Sequence, residues 1–260
     1  MISKGNVLPY WYVQSYSKSM DCIYTSEDIK KLGTILGIWA HPDDETFSMA
    51  GIMAAAANNG QKVVIVTATR GEAGVQDESR WPANRLAEIR TKESDASLRI
   101  LGVTDRYWLD YPDGNCMNIN LEEAASRIVE IINKHQPNSV ITFGPEGMTG
   151  HDDHKTASVW ASVAIKSADS KAVIYHAMHT QSQYENMIEV DKKLNVYFNI
   201  DKPPMCEPDT CDIHFKLDDY LYDKKLAALR AMPSQTEAML KQFENSLRDA
   251  IGTEAFVRYS

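Results

Sequence analysis

Residues Thr34 to Glu45, TILGIWAHPDDE, constrain this chain more than any other stretch. The run Ile35-Leu36-Gly37-Ile38-Trp39-Ala40 is short, apolar and bounded by polar residues, the pattern of a strand buried on both faces. Pro42 has no N–H to give to a sheet ladder, so the strand stops at His41. The run then delivers one histidine and three acids, His41, Asp43, Asp44 and Glu45, to the end of that strand. Carboxylates crowded there repel one another, and burial raises their pKa values. A cation removes both problems. His41 and Asp44 make a good first pair of ligands for Zn²⁺, which takes imidazole nitrogen and carboxylate oxygen.

A second stretch answers the first. Ser139 to Phe143, SVITF, reads as another short strand, followed by Gly144-Pro145, a loop, and Gly150-His151-Asp152-Asp153-His154. Two histidines three residues apart can share one face of a helical turn. Together the stretches offer His, Asp and His from two strand ends. Three ligands with one position left for water are the arrangement of a hydrolytic zinc centre. Fe²⁺ is the alternative occupant of a His₂Asp set.

A chain of 260 residues, 43% hydrophobic and 24% charged, is enough for one large α/β domain with a full core. A net charge of −9 and the lack of any Lys/Arg block argue against a nucleic-acid partner. No apolar run reaches the about eighteen residues of a membrane span. The first twenty residues, MISKGNVLPYWYVQSYSKSM, lack the pattern of a signal peptide, so a cytoplasmic location is expected. Cys22, Cys116, Cys206 and Cys211 contain no CxxC pair and are expected to be unpaired, reduced thiols.

Residues 1–26 are irregular and rich in aromatics, including Tyr10, Trp11, Tyr12, Tyr16 and Tyr24. They are expected to form an N-terminal extension, packed on the domain of residues 27–260 or at a contact between copies in a homo-oligomer. Further strands are expected over Lys62–Thr69, Arg106–Tyr111 and Ala172–Met178. Helices are expected over Glu45–Asn58, Pro82–Leu101, Leu121–His135 and Asp153–Ala168. Alternation at this spacing implies right-handed βαβ units and a mostly parallel sheet with helices on both faces. Ligands of such sheets bind beyond the carboxyl ends of the strands, which gathers His41, Arg70, Asp113 and His154 at one rim. Beyond His179 the pattern predicts a strand over Leu194–Ile200, a proline-rich loop to Asp212, and a helix over Asp218–Met232. A second helix after Pro233 and an edge strand at Phe256-Val257 complete the chain. There is no internal repeat and no linker, hence a single domain.

AHPDDE after a first strand, TRGEAG after a second and GHDDH after a later one resemble the LmbE-like (PIG-L) N-acetylglucosaminyl deacetylases. LRILGV at 98–103 and the Ser234-Gln235 pair fit as well, and the likeness runs from about residue 33 to 240. The resemblance implies a Rossmann-like fold. It also implies a zinc-dependent hydrolase that removes an acyl group from an N-acetylglucosamine-type sugar or its conjugate. By position it makes His41, Asp44 and His154 the metal ligands, Asp43 the general base, His151 the group facing the substrate carbonyl, and Arg70 a substrate-binding residue. Asp113, in the YPDG turn, is either a turn residue or a wall of the substrate site. Asp152 stands where the family commonly has Pro, and Met232 where relatives often carry His. Two rival readings use the same residues: a zinc amidase of a larger thiol-glycoside conjugate, and a metal-bearing binding module without catalysis. Asp43 and His151 argue for the enzyme, because binding alone needs neither.

Overall fold

The short apolar runs have no polar face to give to water, and they pair side by side at the centre of one sheet. The computed structural model describes residues 22–259; the expected extension therefore lies, over residues 1–21, outside the described residues. Strands β1 (Ile35–Trp39), β2 (Val63–Thr69) and β4 (Ser139–Phe143) are buried at every position. With β3 (Asp105–Tyr111), β5 (Val173–Met178), β6 (Ile213–Lys216) and β7 (Thr253–Tyr259) they form a seven-stranded sheet of order β3-β2-β1-β4-β5-β7-β6. The five strands from β3 to β5 in this order are parallel; β7 runs antiparallel to both β5 and β6.

The pleat sorts the core into two layers. Ile35 and Trp39 of β1 enter one cluster, with Met53, Ile65, Phe143 and Leu229. Leu36 and Ile38 enter the other, with Val64, Val66, Ile128 and Trp160. Helices α1 (Asp44–Asn58), α2 (Leu86–Ile100), α5 (Gln181–Leu194), α6 (Asp219–Arg230), α7 (Pro233–Phe243) and α8 (Leu247–Ile251) supply the first layer. Helices α3 (Leu121–His135) and α4 (Asp152–Ser167) supply the second. The fold is α/β and Rossmann-like, with helices on both faces. The strand order reverses between β1 and β4, so the connections leaving their carboxyl ends diverge and open a crevice. No helix among the described residues is long and apolar enough to cross a membrane.

Three expectations are corrected and two elements are added, α5 and β6. Leu194–Ile200 is not a strand: α5 ends at Leu194, and Asn195 takes a left-handed turn with φ 51°. The signal for α5 was a capping box, Thr180 and Gln183 bonding each other's backbone N–H. Strand β6 was missed because it has only four residues, although Ile213 and Phe215 alternate inward. The strand at Phe256-Val257 is longer than expected and is not an edge, since it pairs on both sides. Cys206 and Cys211 are not free thiols but form a disulfide; the buried Cys116 keeps its thiol.

Helix α1 is interrupted at Met49, whose φ −140° and ψ 24° leave the helical region. The break strands backbone groups inside the core, where unpaired polar atoms are costly. A buried ion pair satisfies them. Lys225 of α6 donates to the Phe47 carbonyl at 2.7 Å and to Glu254 of β7 at 3.0 Å. Glu254 in turn accepts from the N–H groups of Gly51 at 2.8 Å and Ile52 at 2.9 Å. The cation thus faces the carbonyl end of the first turn and the anion the N–H end of the rest, as the helix dipole favours. Both side chains are fully buried. Removing one partner leaves the other charged without compensation. Lys225→Met or Glu254→Ala should therefore cost roughly 3–5 kcal/mol in urea unfolding, and a loss below about 1 kcal/mol would show that the pair does not hold the break.

Candidate metal centre and its cavity

The crevice between β1 and β4 receives the first turn of α1 and the first turn of α4. Asp44 opens α1, and its Oδ2 accepts the N–H groups of His41 at 2.7 Å and Ala40 at 3.1 Å, which locks the strand end to the helix start. Asp43 precedes α1 with φ 133°, a conformation strained for any residue but glycine. That backbone leaves its side chain out of a capping role; Oδ2 instead meets the Arg90 guanidinium at 3.1 Å. His151 is the cap of α4: its Nδ1 accepts the Asp153 N–H at 3.1 Å.

Hydrogen-bond partners fix which ring nitrogens carry protons. His41 Nε2 faces the carboxylates of Asp113 at 3.0 Å and Asp153 at 3.3 Å, so it is the N–H. His154 Nδ1 faces the Gly147 carbonyl at 2.9 Å, so it too is an N–H. The remaining nitrogens, His41 Nδ1 and His154 Nε2, face each other across 3.1 Å, and with both rings neutral each offers a lone pair to an ion between them. Asp44 lies 3.7 Å from the first and 3.4 Å from the second. Ligands at about 2.0–2.1 Å from a tetrahedral zinc stand about 3.3 Å apart, so these three separations fit a divalent ion. His151 offers a further nitrogen within 4.8 Å of those two rings. Its Nδ1 is engaged as the cap, which places its remaining proton on Nε2. The carboxylates of Asp113 and Asp153 also cluster with His41. Asp113 accepts from Ala73 N–H, and Asp153 from Gly114 and Cys116 N–H, so they act as orienting groups for the ring.

Electrostatics point the same way. Burial alone would lower His41, yet Asp113, Asp153 and Asp44 push it up to about 10. Burial pushes Asp43 and Asp44 up, opposed by Arg90 beside Asp43 and by His41 beside Asp44. Burial also opposes ionisation of Asp113, but the His41 ring holds it at about 2. Burial and the neighbouring His41 and His151 rings keep His154 well below the usual histidine range. With protons as the only cations the cluster must store them on His41 and Asp44. One divalent ion replaces both.

His41, Asp43, Asp44, Asp113, His151 and His154 line one cavity; Arg70 does not. Arg70 bonds Asp110 at 2.6 Å and Thr91 at 3.1 Å and stacks on Trp108. The arginine at the site is Arg90, unforeseen in the sequence. It is buried, donates to the carbonyls of Gly71 and Pro42 at 2.8 Å each, and grips Asp43. Gly71, at φ 70°, has no room for a side chain, because a Cβ would stand 2.3 Å from the Arg90 guanidinium. The glycines of TRGEAG thus make way for Arg90. A signal existed: Leu86, Arg90, Glu93, Ser94, Ser97 and Leu98 form the buried stripe of α2, with a charge in an inward position. Asp152 is exposed and pairs with Lys155, and Met232 is buried away from the cavity. His179, just past β5, lines the cavity as well.

The sequence model of the PIG-L family, described as GlcNAc-PI de-N-acetylase, matches residues 36–165. The chain belongs to this family. It is similar to a 1D-myo-inositol 2-acetamido-2-deoxy-alpha-D-glucopyranoside deacetylase of Acidothermus cellulolyticus, 30% identical over 257 residues and 86% of each chain. A second such deacetylase, from Catenulispora acidiphila, is 36% identical over 157 residues, 52% of this chain and 51% of that protein. The chain spans about half the length of the first curated relatives it matches. Among solved structures, the inhibitor-bound N,N'-diacetylchitobiose deacetylase from Pyrococcus horikoshii superposes with TM-score 0.61 at 25% identity, over 89% of this chain and 85% of that one.

Metal analysis tests the ligand set. His41→Ala, Asp44→Ala and His154→Ala should each lose the ion, and Cys206→Ser/Cys211→Ser should keep it. Asp153→Asn should weaken metal affinity about 10–100-fold in chelator competition. Full occupancy in all three ligand variants would remove the site.

Proposed function

We propose that this chain is a metal-dependent N-deacetylase that hydrolyses the amide of an N-acetylglucosamine-type sugar or its conjugate. The observation that carries this reading is the convergence of His41 Nδ1 and His154 Nε2, 3.1 Å apart, beside the Asp44 carboxylate. Family membership and the deacetylase names of its relatives support the substrate class. His41, Asp44 and His154 would hold the ion, zinc by default and Fe²⁺ as the alternative. A bound divalent ion supplies Lewis acidity at the amide carbonyl and lowers the pKa of water.

The chain's own residues do the rest. Asp43 sits next to a ligand without being needed as one, and Arg90 fixes its Oδ2, leaving Oδ1 for water. It takes the proton of the attacking water as the new C–O bond forms. His151 presents Nε2–H as a donor even when neutral, and burial lowers its pKa, with His41 adding to the effect. It stabilises negative charge developing on the carbonyl oxygen. When the C–N bond breaks, the proton held by Asp43 passes to the leaving nitrogen, giving a free amine and a carboxylic acid. Asp113 lines the cavity as well as orienting His41, and sugar hydroxyls can reach it there. Arg70, held by Asp110 and Trp108, supports the loop in this reading rather than touching substrate.

Asp43→Asn is close to isosteric and leaves the ligands untouched. It should keep its metal while kcat on an N-acetylglucosamine substrate falls at least about 10²-fold. His151→Ala should likewise keep metal and lose turnover mainly in kcat. Near-normal turnover in Asp43→Asn with full metal would remove Asp43 from the mechanism and favour a binding module. Loss of metal in that variant would make Asp43 a ligand.

A further inference from the structure

The cavity that starts at the histidines is larger than an acetyl group requires, and much of its wall is apolar. Its volume is about 520 Å³, within the range of about 300–1,000 Å³ of sites that take whole small molecules. Phe143, stacked on the His154 ring at 4.1 Å, and Phe47 in the first turn of α1 line it beside the metal-binding residues. Met187, Val196, Met239 and Ile251 continue the wall. These four lie outside the 36–165 segment that matches the family.

The larger polar side chains on this wall are already engaged by protein. Gln183 donates to the Thr253 carbonyl at 2.8 Å and accepts the Thr180 N–H at 3.0 Å. Glu254 is consumed by Lys225, Gly51 and Ile52. The Tyr197 hydroxyl meets His179 Nε2 at 3.1 Å, and His179 Nδ1 is sealed from solvent and so from a ligand. Ser48 and Thr253 add only two small hydroxyls. A sugar ring placed here would leave most of its hydroxyls unpaired, which opposes binding. An alkyl chain would lose nothing. Among the lining residues, Gln76, Asp113 and Gln235 are the polar ones that suit a sugar.

We propose that this chamber binds an alkyl chain carried by the substrate, so that the preferred substrate is an alkylated glucosamine derivative rather than the bare N-acetyl sugar. The inference rests on the deacetylase reading above. The chain can come from the acyl group or from an apolar aglycone, and the shared chemistry is a run of methylenes. Phe198, 50% exposed, and Leu194, 37% exposed, also line this cavity and leave apolar surface in water for such a chain to cover.

Three substrates decide it on the metal-loaded protein: N-acetylglucosamine, N-octanoylglucosamine and octyl N-acetylglucosaminide. Each buried methylene strengthens binding about fourfold. One of the two octyl compounds should therefore exceed the acetyl sugar at least about tenfold in kcat/KM, and the one that does identifies the source of the chain. Leu194→Ser/Phe198→Ser should shrink that ratio. Turnover of N-acetylglucosamine with no gain from either octyl compound overturns the chamber and leaves the deacetylase reading intact. Calorimetry tests the chamber without turnover. Octyl glucosaminide against methyl glucosaminide, or octanoate against acetate, should show at least about tenfold tighter binding for the longer chain, and equal affinities in both pairs overturn the proposal.

Discussion

The His41 and His154 rings turn a nitrogen toward each other across 3.1 Å, with two carboxylates behind His41 and the Gly147 carbonyl behind His154, and such a buried cluster needs a cation, proton or metal, at its centre. That constraint decides where the cluster sits. At the boundary of β1 and β4, where the strand order reverses, two neighbouring strands send their chains to opposite faces and leave room beyond their ends. The same boundary brings two helix N-termini together, Asp44 in the first turn of α1 and Asp153 and His154 in the first turn of α4. Their positive ends favour the carboxylates. The His41 ring is the hinge of the arrangement, with one nitrogen toward Asp44 and His154 and the other toward Asp113 and Asp153.

Strain near the cluster follows from the need to free a carboxylate. An ordinary residue at the start of α1 would turn its side chain back to cap the helix. Asp43 at φ 133° does not, and its acid is available to the cavity. Such a backbone persists only where its surroundings over-determine it. Arg90 does so from α2 by holding the Pro42 carbonyl and the Asp43 carboxylate together. From the other side, the break at Met49 uncouples the first turn of α1 from the rest of the helix, and Lys225 and Glu254 fix the two pieces. The first turn can then follow the strand end rather than the long axis of α1.

What the sequence revealed and what it hid divide along a physical line. β1, β2 and β4 were legible because a doubly buried strand must be apolar at every position. HPDDE and HDDH were legible because each packs its histidines and acids into one short run that follows a strand. Arg90 showed in the sequence only as a charge at an inward position of α2; its partners Pro42, Asp43 and Gly71 lie on other segments, and only the folded chain brings them near. Arg70 belongs to a readable motif, but Trp108 and Asp110 of the neighbouring strand decide where its side chain points. The Cys206–Cys211 bridge was equally opaque: spacing permits a pair, and loop geometry decides it. The helix at Gln181–Leu194 is different, because its Thr180–Gln183 box could have been read.

In the proposed reading, reaction and recognition are separated along the chain. Every residue assigned to metal, proton transfer or charge stabilisation falls between His41 and His154, within the segment shared with the family. Met187, Met239 and Ile251 come from helices after β5, and Val196 from the turn that follows α5. Those elements are not independent of the chemistry. Glu254 of β7 lines the cavity while its carboxylate holds the broken helix that carries Asp44. Gln235 at the start of α7 bonds the Gly74 carbonyl beside the path of Arg90. A change in the later elements that reshapes the pocket therefore also bears on the first turn of α1 and on the grip on Asp43. Apolar side chains that touch neither contact, such as Leu194 and Val196, are the positions where the pocket can change without moving the acid.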